Sequence, residues 1–93
     1  MRVKWLQIAE RNLDEIGAYI AEDNADAAEH LVIKIIETVT LLADHPAIGR
    51  AGRFPGTREL VVADTPYIVI YRVRDTFLEV LRILHGARKW PPS

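Results

Sequence analysis

The chain has 93 residues, 49% of them hydrophobic and 27% charged, with a formal net charge of −1 and no cysteine. That length holds one domain built on a single core, and the composition is that of an ordinary globular protein, so a second domain, a disulfide framework and thiolate chemistry are not expected. The apolar runs fall short of a membrane span and Arg2-Val3-Lys4-Trp5-Leu6 carries no leader pattern, so the expected location is cytoplasmic, with no membrane partner and no secretion.

Arg2 to Leu6 alternates, with Val3 and Trp5 on one face, which predicts a short strand. From about Gln7 to Asp23, Ala9, Leu13, Ile16 and Ile20 recur at helical spacing opposite Glu10, Arg11, Asp14, Glu15 and Glu22, the pattern of an amphipathic helix. Asn24 is placed to cap a second helix from Ala25, because its side-chain oxygen can accept from the free amides of the first turn. Asp26 and Glu29 suit the positive end of that helix. The apolar stripe is Ala28, Leu31, Ile35, Val39 and Leu42, widened by Val32 and Ile36. The helix is expected to stop near Asp44, since Pro46 disfavours helical geometry at His45. The two helices then form an antiparallel hairpin.

His45 to Thr57, HPAIGRAGRFPGT, holds three glycines and two prolines and predicts an irregular loop carrying Arg50 and Arg53. Arg58 to Ala63 regains strand character, and Asp64-Thr65-Pro66 turns the chain into the stretch that dominates the sequence, Tyr67 to Trp90. Two apolar, β-branched segments there are joined at Arg74-Asp75-Thr76, and Gly86 closes the second. On the first segment Tyr67, Val69, Tyr71 and Val73 share one face, while Ile68, Ile70, Arg72 and Arg74 share the other. Strict alternation on the second segment puts Leu81 and Ile83 beneath the helices and leaves Val80 and Leu84 on the opposite face. The expected fold class is α+β: a two-layer domain with a helix hairpin packed on an antiparallel β-sheet, in the order β-α-α-β-β-β. Where the first strand joins the sheet is left open.

Charge is unevenly spread. Residues 1–49 carry four basic and nine acidic side chains, a net of −5, whereas residues 50–93 carry eight basic and four acidic, a net of +4. A cationic C-terminal half could steer toward nucleic acid or an acidic protein, or could simply offset the acidic helices. His30, His45 and His85 fall on a helix, a loop and a strand, and no short ligand pair occurs, so neither a metal nor a cofactor is expected. His85, near the end of a mostly buried strand, reads first as a packed or backbone-bonded histidine. Arg72 and Arg82 read first as partners of acidic neighbours across the hairpin. Trp90 is expected to dock its ring on the fold, and Pro91-Pro92 ends regular structure.

A series of short motifs goes further than composition. Leu13-Asp14-Glu15-Ile16 with Tyr19-Ile20-Ala21 comes first, then Ala27-Ala28, then Leu42-Ala43-Asp44-His45-Pro46 with Gly49-Arg50. Arg58-Glu59-Leu60, Ile70-Tyr71-Arg72-Val73 and Ile83-Leu84-His85-Gly86-Ala87-Arg88-Lys89-Trp90 follow. In this order and spacing, over nearly the whole chain, they resemble the ParE toxins of the RelE/ParE superfamily. The resemblance implies the toxin of a type II toxin-antitoxin pair. RelE-like members cut mRNA on the ribosome, which requires a group to activate the ribose 2′-hydroxyl, cations on the phosphate and a proton donor to the leaving oxygen. Such toxins carry an arginine three residues before the strand tyrosine, here Tyr71, and this chain has Ile68 there. Its only lysines are Lys4, Lys34 and Lys89, so the lysine-rich segment of several nuclease members is absent too. His85 and Arg88 are what remains for a nuclease.

ParE-like members instead inhibit DNA gyrase as binding proteins, and Leu84-His85-Gly86-Ala87-Arg88 is closer to that class. The implied partners are gyrase and a cognate antitoxin of ribbon-helix-helix, ParD-like type, with no sequence-specific nucleic-acid binding by the toxin alone. Ile68, Ile70, Val80 and Leu84 cannot lie under the helix pair if their alternates do, so they are expected to form an apolar patch for an antitoxin helix or strand. Arg72, Arg74 and Arg82 would flank that patch. Arg88, Lys89 and Trp90 would supply a basic, aromatic tail suited to a target surface.

Overall fold

The computed structural model describes residues 1–87 and Trp90. In chain order it contains β1 (Arg2–Trp5), α1 (Gln7–Ala21), α2 (Ala25–Asp44), β2 (Arg50–Ala51), β3 (Arg58–Val61), β4 (Tyr67–Arg74) and β5 (Phe77–His85). The second helix begins where the sequence placed it: Asn24 Oδ1 accepts from the Ala27 amide at 3.0 Å. It ends at Asp44, two residues before Pro46. No helix among the described residues is long and apolar enough to cross a membrane.

The five strands form one sheet in the order β1-β5-β4-β3-β2, with the helix hairpin on one face. The α+β two-layer arrangement is therefore present, with two refinements. β1 runs parallel to β5, pairing Arg2 with Phe77 through Trp5 with Val80, so the sheet is mixed and not wholly antiparallel. Parallel pairing needs a long connection, and the helix hairpin and three strands that lie between β1 and β5 in the chain supply it. The Leu6 amide extends the pairing by donating to the Val80 carbonyl at 3.0 Å. Within the loop expected to be irregular, Arg50 and Ala51 form a two-residue strand against Glu59 and Arg58.

The tight turns use aspartates in the left-handed region, Asp64 at φ 63° between β3 and β4 and Asp75 at φ 55° between β4 and β5. Aspartate tolerates this backbone better than most residues with a Cβ because its short carboxylate can bond locally.

The helix-covered face holds the main core, in which Ala9, Ile35, Val39 and Leu42 meet Val62, Val69, Tyr71, Leu78, Val80 and Ile83. Ile36, expected to widen the α2 stripe, is 44% exposed and lies outside that cluster. The presence of Val80 in this core corrects the expectation that it lies on the opposite face. Ile70 pairs with Arg82 but Tyr71 pairs with Val80, so Leu81 is an extra residue on β5, a β-bulge. One inserted residue reverses the alternation beyond it. Val80 accordingly turns under the helices, and Leu81 joins Ile68, Ile70 and Leu84 on the other face.

Past Leu6, no strand among the described residues neighbours that edge of β5, and its Ile83 amide donates instead to Asn12 Oδ1 of α1 at 3.2 Å. Asn12 is buried for this reason, a polar residue within the helix's inner face that caps an open strand edge.

Candidate interaction face

The sheet face away from the helices is built around Ile68, Ile70, Leu81 and Leu84, with Leu6 and Trp90 packed against them. Each of the four is at most 9% exposed, so the bare patch expected from the sequence is already covered, in part by the chain's own Trp90. The apolar surface that still meets water near this cluster belongs to Phe54, 51% exposed, and Ile8, 38% exposed.

Three ion pairs, on two glutamates, frame the cluster. Glu59, on β3 opposite Ile70, has a fully buried carboxylate. It accepts from Arg50 at 3.1 Å through Oε1 and from the Arg53 backbone amide at 3.0 Å and Nε at 3.1 Å through Oε2. Burial alone would push this carboxyl up, but the bonds from Arg53 and Arg50 outweigh it and hold it below the ordinary 4.5. Two arginines of the glycine-rich loop are thus pinned to one strand, which fixes residues 52–57 beside the sheet. On the hairpin, Arg72 Nε donates to Glu79 Oε1 at 2.6 Å, and this bond holds Glu79 below its ordinary range as well.

The other side of the same loop is anchored through Tyr71. Its hydroxyl donates to the Pro46 carbonyl at 2.7 Å and accepts from the Gly49 amide at 3.0 Å. Burial raises the phenol above 10.0 in spite of the Gly49 bond and the nearby Arg58 charge. A Cβ at position 49 would fall 2.4 Å from the Tyr71 oxygen, so only glycine lets the backbone approach this closely.

The expected site residues are only partly brought together. Ile68, Ile70 and Leu84 share the cluster, Arg72 and Arg82 border it, and Trp90 lies on it with its ring centroid 5.0 Å from the Arg82 guanidinium carbon. Arg74 is exposed at the hairpin turn and is not among the residues packed on the cluster. Val80 is absent for the reason given above. Arg88 and Lys89 lie outside the described residues. His85 is exposed at the end of β5, edge-on to Tyr67 with ring centroids 5.6 Å apart, and its Nδ1 accepts from the Ala87 amide at 3.1 Å. Among the described residues no group of three or more histidine or acidic side chains could hold a metal ion.

Sequence reasoning missed Leu81, the Glu59 clamp and the wall formed by Phe54 and Pro55. The glutamates were the available signal, because Glu59 and Glu79 each interrupt a strand in the arginine-rich half of the chain. An acid placed there calls for a cationic partner.

What this geometry offers is a surface of cations and apolar side chains around a shallow opening, on a small two-layer α+β fold. The comparisons agree. The model of the family "ParE toxin of type II toxin-antitoxin system, parDE" matches residues 3–90. The candidate toxin Y4kP of Sinorhizobium fredii is 50% identical over 91 residues, covering 97% of this chain and 93% of that protein. Toxin RelE2 of Caulobacter vibrioides is 33% identical over 87 residues, covering 94% and 97%. A solved chain of the chromosomal ParDE system from P. aeruginosa superposes with a TM-score of 0.81 at 30% identity, over 91% of this chain and 95% of that one. The chain belongs to the ParE toxin family of type II toxin-antitoxin systems, and a toxin of that kind has an antitoxin partner.

Proposed function

We propose that this toxin inhibits DNA gyrase by binding, without turnover, in the cytoplasm, and that a ribbon-helix-helix antitoxin neutralises it. The observation that carries the reading is Ile68. Where RelE-like toxins resemble one another in an arginine, this chain has a side chain 5% exposed and packed with Ile70, Leu81 and Leu84. Such a residue supplies packing and no charge for a scissile phosphate. Binding by a rigid surface needs none, and arginine and tryptophan beside a packed apolar cluster are the residue types that dominate contact energy.

The second reading, a ribosome-dependent mRNA endonuclease, draws on the relative named RelE2 and on His85. His85 borders a depression of about 280 Å³ with Tyr67, Tyr19 and Glu15. Its Nδ1, however, is occupied as an acceptor, so the neutral ring carries its proton on Nε2. That tautomer can protonate a leaving oxygen but offers no lone pair to activate a 2′-hydroxyl, so His85 supplies at most one of the groups that cleavage needs.

The test adds purified toxin to gyrase and, separately, to translating ribosomes. The first reading expects loss of supercoiling with accumulation of cleaved DNA, and intact mRNA. Ribosome-dependent cuts that vanish in His85→Ala would replace it with the second.

A further inference from the structure

The depression of about 280 Å³ that His85 borders lies between α1 and the adjoining ends of β4 and β5, and its walls are aromatic and acidic at once. Asn12, Glu15, Ile16 and Tyr19 recur at three- and four-residue steps, so α1 presents them on one face. Ile16 packs on the main core and Asn12 is bonded to the Ile83 amide, which ties the inner part of that face to β5. Glu15 and Tyr19 are thereby carried at the rim, where Glu15 is exposed and the Tyr19 side chain is 68% exposed. On the strand side the Tyr67 and His85 rings stand at 81° to one another with centroids 5.6 Å apart, and the Ala87 amide holds His85 through Nδ1. Two rings at nearly a right angle form a corner, and Tyr19 adds a third aromatic wall from α1. No ion pair among the described residues engages Glu15, which belongs to the N-terminal half with its net charge of −5.

We propose that this depression is a binding site for an organic cation, a guanidinium or alkylammonium group no larger than the end of an arginine side chain. Tyrosine rings carry negative charge on their faces, so a cation is attracted to the walls that Tyr19 and Tyr67 supply. Glu15 adds the carboxylate that pairs with it, and a weakly hydrated guanidinium gives up water to such walls at small cost. An anion is disfavoured by Glu15 and by the acidic helical layer around it. An uncharged ligand of the same shape forfeits both attractions, so charge is what selects the occupant. The group can arrive as a free amine or on a protein side chain, and the chemistry of its recognition is the same. The inference is independent of whether gyrase or the ribosome is the target.

The test is an NMR titration of the isotope-labelled toxin with three probes: agmatine, N-acetyl-arginine N-methylamide, and the citrulline counterpart of the latter, which keeps the shape and loses the charge. At least one of the two guanidinium probes is expected to bind with a dissociation constant on the order of 1 mM, the range of a small ligand with few contacts. It should shift the Glu15 and Tyr19 resonances together with those of Tyr67 and His85, while citrulline shifts none of them. Tighter binding of agmatine assigns the site to free amines, and tighter binding of the blocked arginine assigns it to a protein side chain. Glu15→Gln and Tyr19→Ala should each weaken binding about threefold, whereas Tyr19→Phe, which keeps the ring face, should bind as wild type does. All three positions changed are at the exposed rim, and unchanged amide spectra away from it show that each variant is folded. Equal binding of citrulline, wild-type affinity in Tyr19→Ala, shifts that follow the acidic residues of α2 and omit Tyr67 and His85, or no shift at roughly 10 mM probe would overturn the proposal.

Discussion

The two faces of the sheet are made from alternate residues of the same strands and yet are built on opposite plans. Under the helices, Val69, Tyr71, Leu78, Val80 and Ile83 meet Ile35, Val39 and Leu42 in one continuous apolar layer. On the other side a cluster of four, Ile68, Ile70, Leu81 and Leu84, is bordered by the Glu59 clamp, the Arg72–Glu79 pair and the Arg82–Trp90 stack. The first face carries stability, since its groups are apolar and lie far from water. The second keeps charge and aromatic surface within reach of a partner. A single bulge residue decides which side chain of β5 serves which face.

The sharpest way to break this comparison is to place the same charge on neighbouring residues. Val80→Asp puts a carboxylate in the dry layer with no cation to meet it and should leave the chain unfolded, at a cost of several kcal/mol. Leu81→Asp, also buried but beside the Arg82 guanidinium on the other face, should cost less, and circular dichroism with thermal melts separates the two. Equal melting temperatures for the pair would mean that the bulge does not divide the faces. Ile35→Ala comes next, with an expected loss of about 2 to 5 kcal/mol in chemical denaturation as a buried large-to-small change.

Glu59→Gln should cost less, about 1 to 3 kcal/mol, through weakened bonds to Arg50 and Arg53. The sign of its pH dependence follows from the lowered carboxyl. The folded form binds its proton less readily than the unfolded chain, so the stabilisation is present above the ordinary carboxylate range and is lost as pH falls through the lowered folded value. Glu79 acts in the same direction. Wild-type stability should therefore drop on acidification over that range, and Glu59→Gln should show a shallower drop; parallel curves would remove Glu59 from the account. The smallest effect is Asn24→Ala, about 1 kcal/mol from loss of the α2 cap, measured by the same denaturation.

Much of the architecture was legible because local chemistry announces it. Asn24 before Ala25, Pro46 after Asp44 and the Asp64 and Asp75 turns each fix a boundary through one side chain's bonding or backbone preference. The helix hairpin and the β3-β4-β5 meander follow from those boundaries. What stayed hidden depends on where the chain returns in space. Val3 and Trp5 predict a strand but not its parallel docking on β5. Alternation could not place Val80 and Leu81, since a bulge is invisible to a period of two. Trp90 docks on the fold as expected, but that it docks over part of the left-over apolar positions, and so covers the patch expected to be bare, follows from no spacing rule. Arg50 and Arg53 read as loop cations until Glu59 was found buried between them.

The most direct test of the division between faces is calorimetric titration of the cognate antitoxin onto two variants first shown by circular dichroism to be folded, Leu81→Asp on the sheet face away from the helices and Leu41→Asp on the exposed outer surface of α2. If the partner is held by the sheet face away from the helices, Leu81→Asp should weaken binding about a hundredfold while Leu41→Asp leaves it near wild type. The reverse pattern, with Leu41→Asp weakened and Leu81→Asp unchanged, would place the antitoxin on the helix pair and contradict the account.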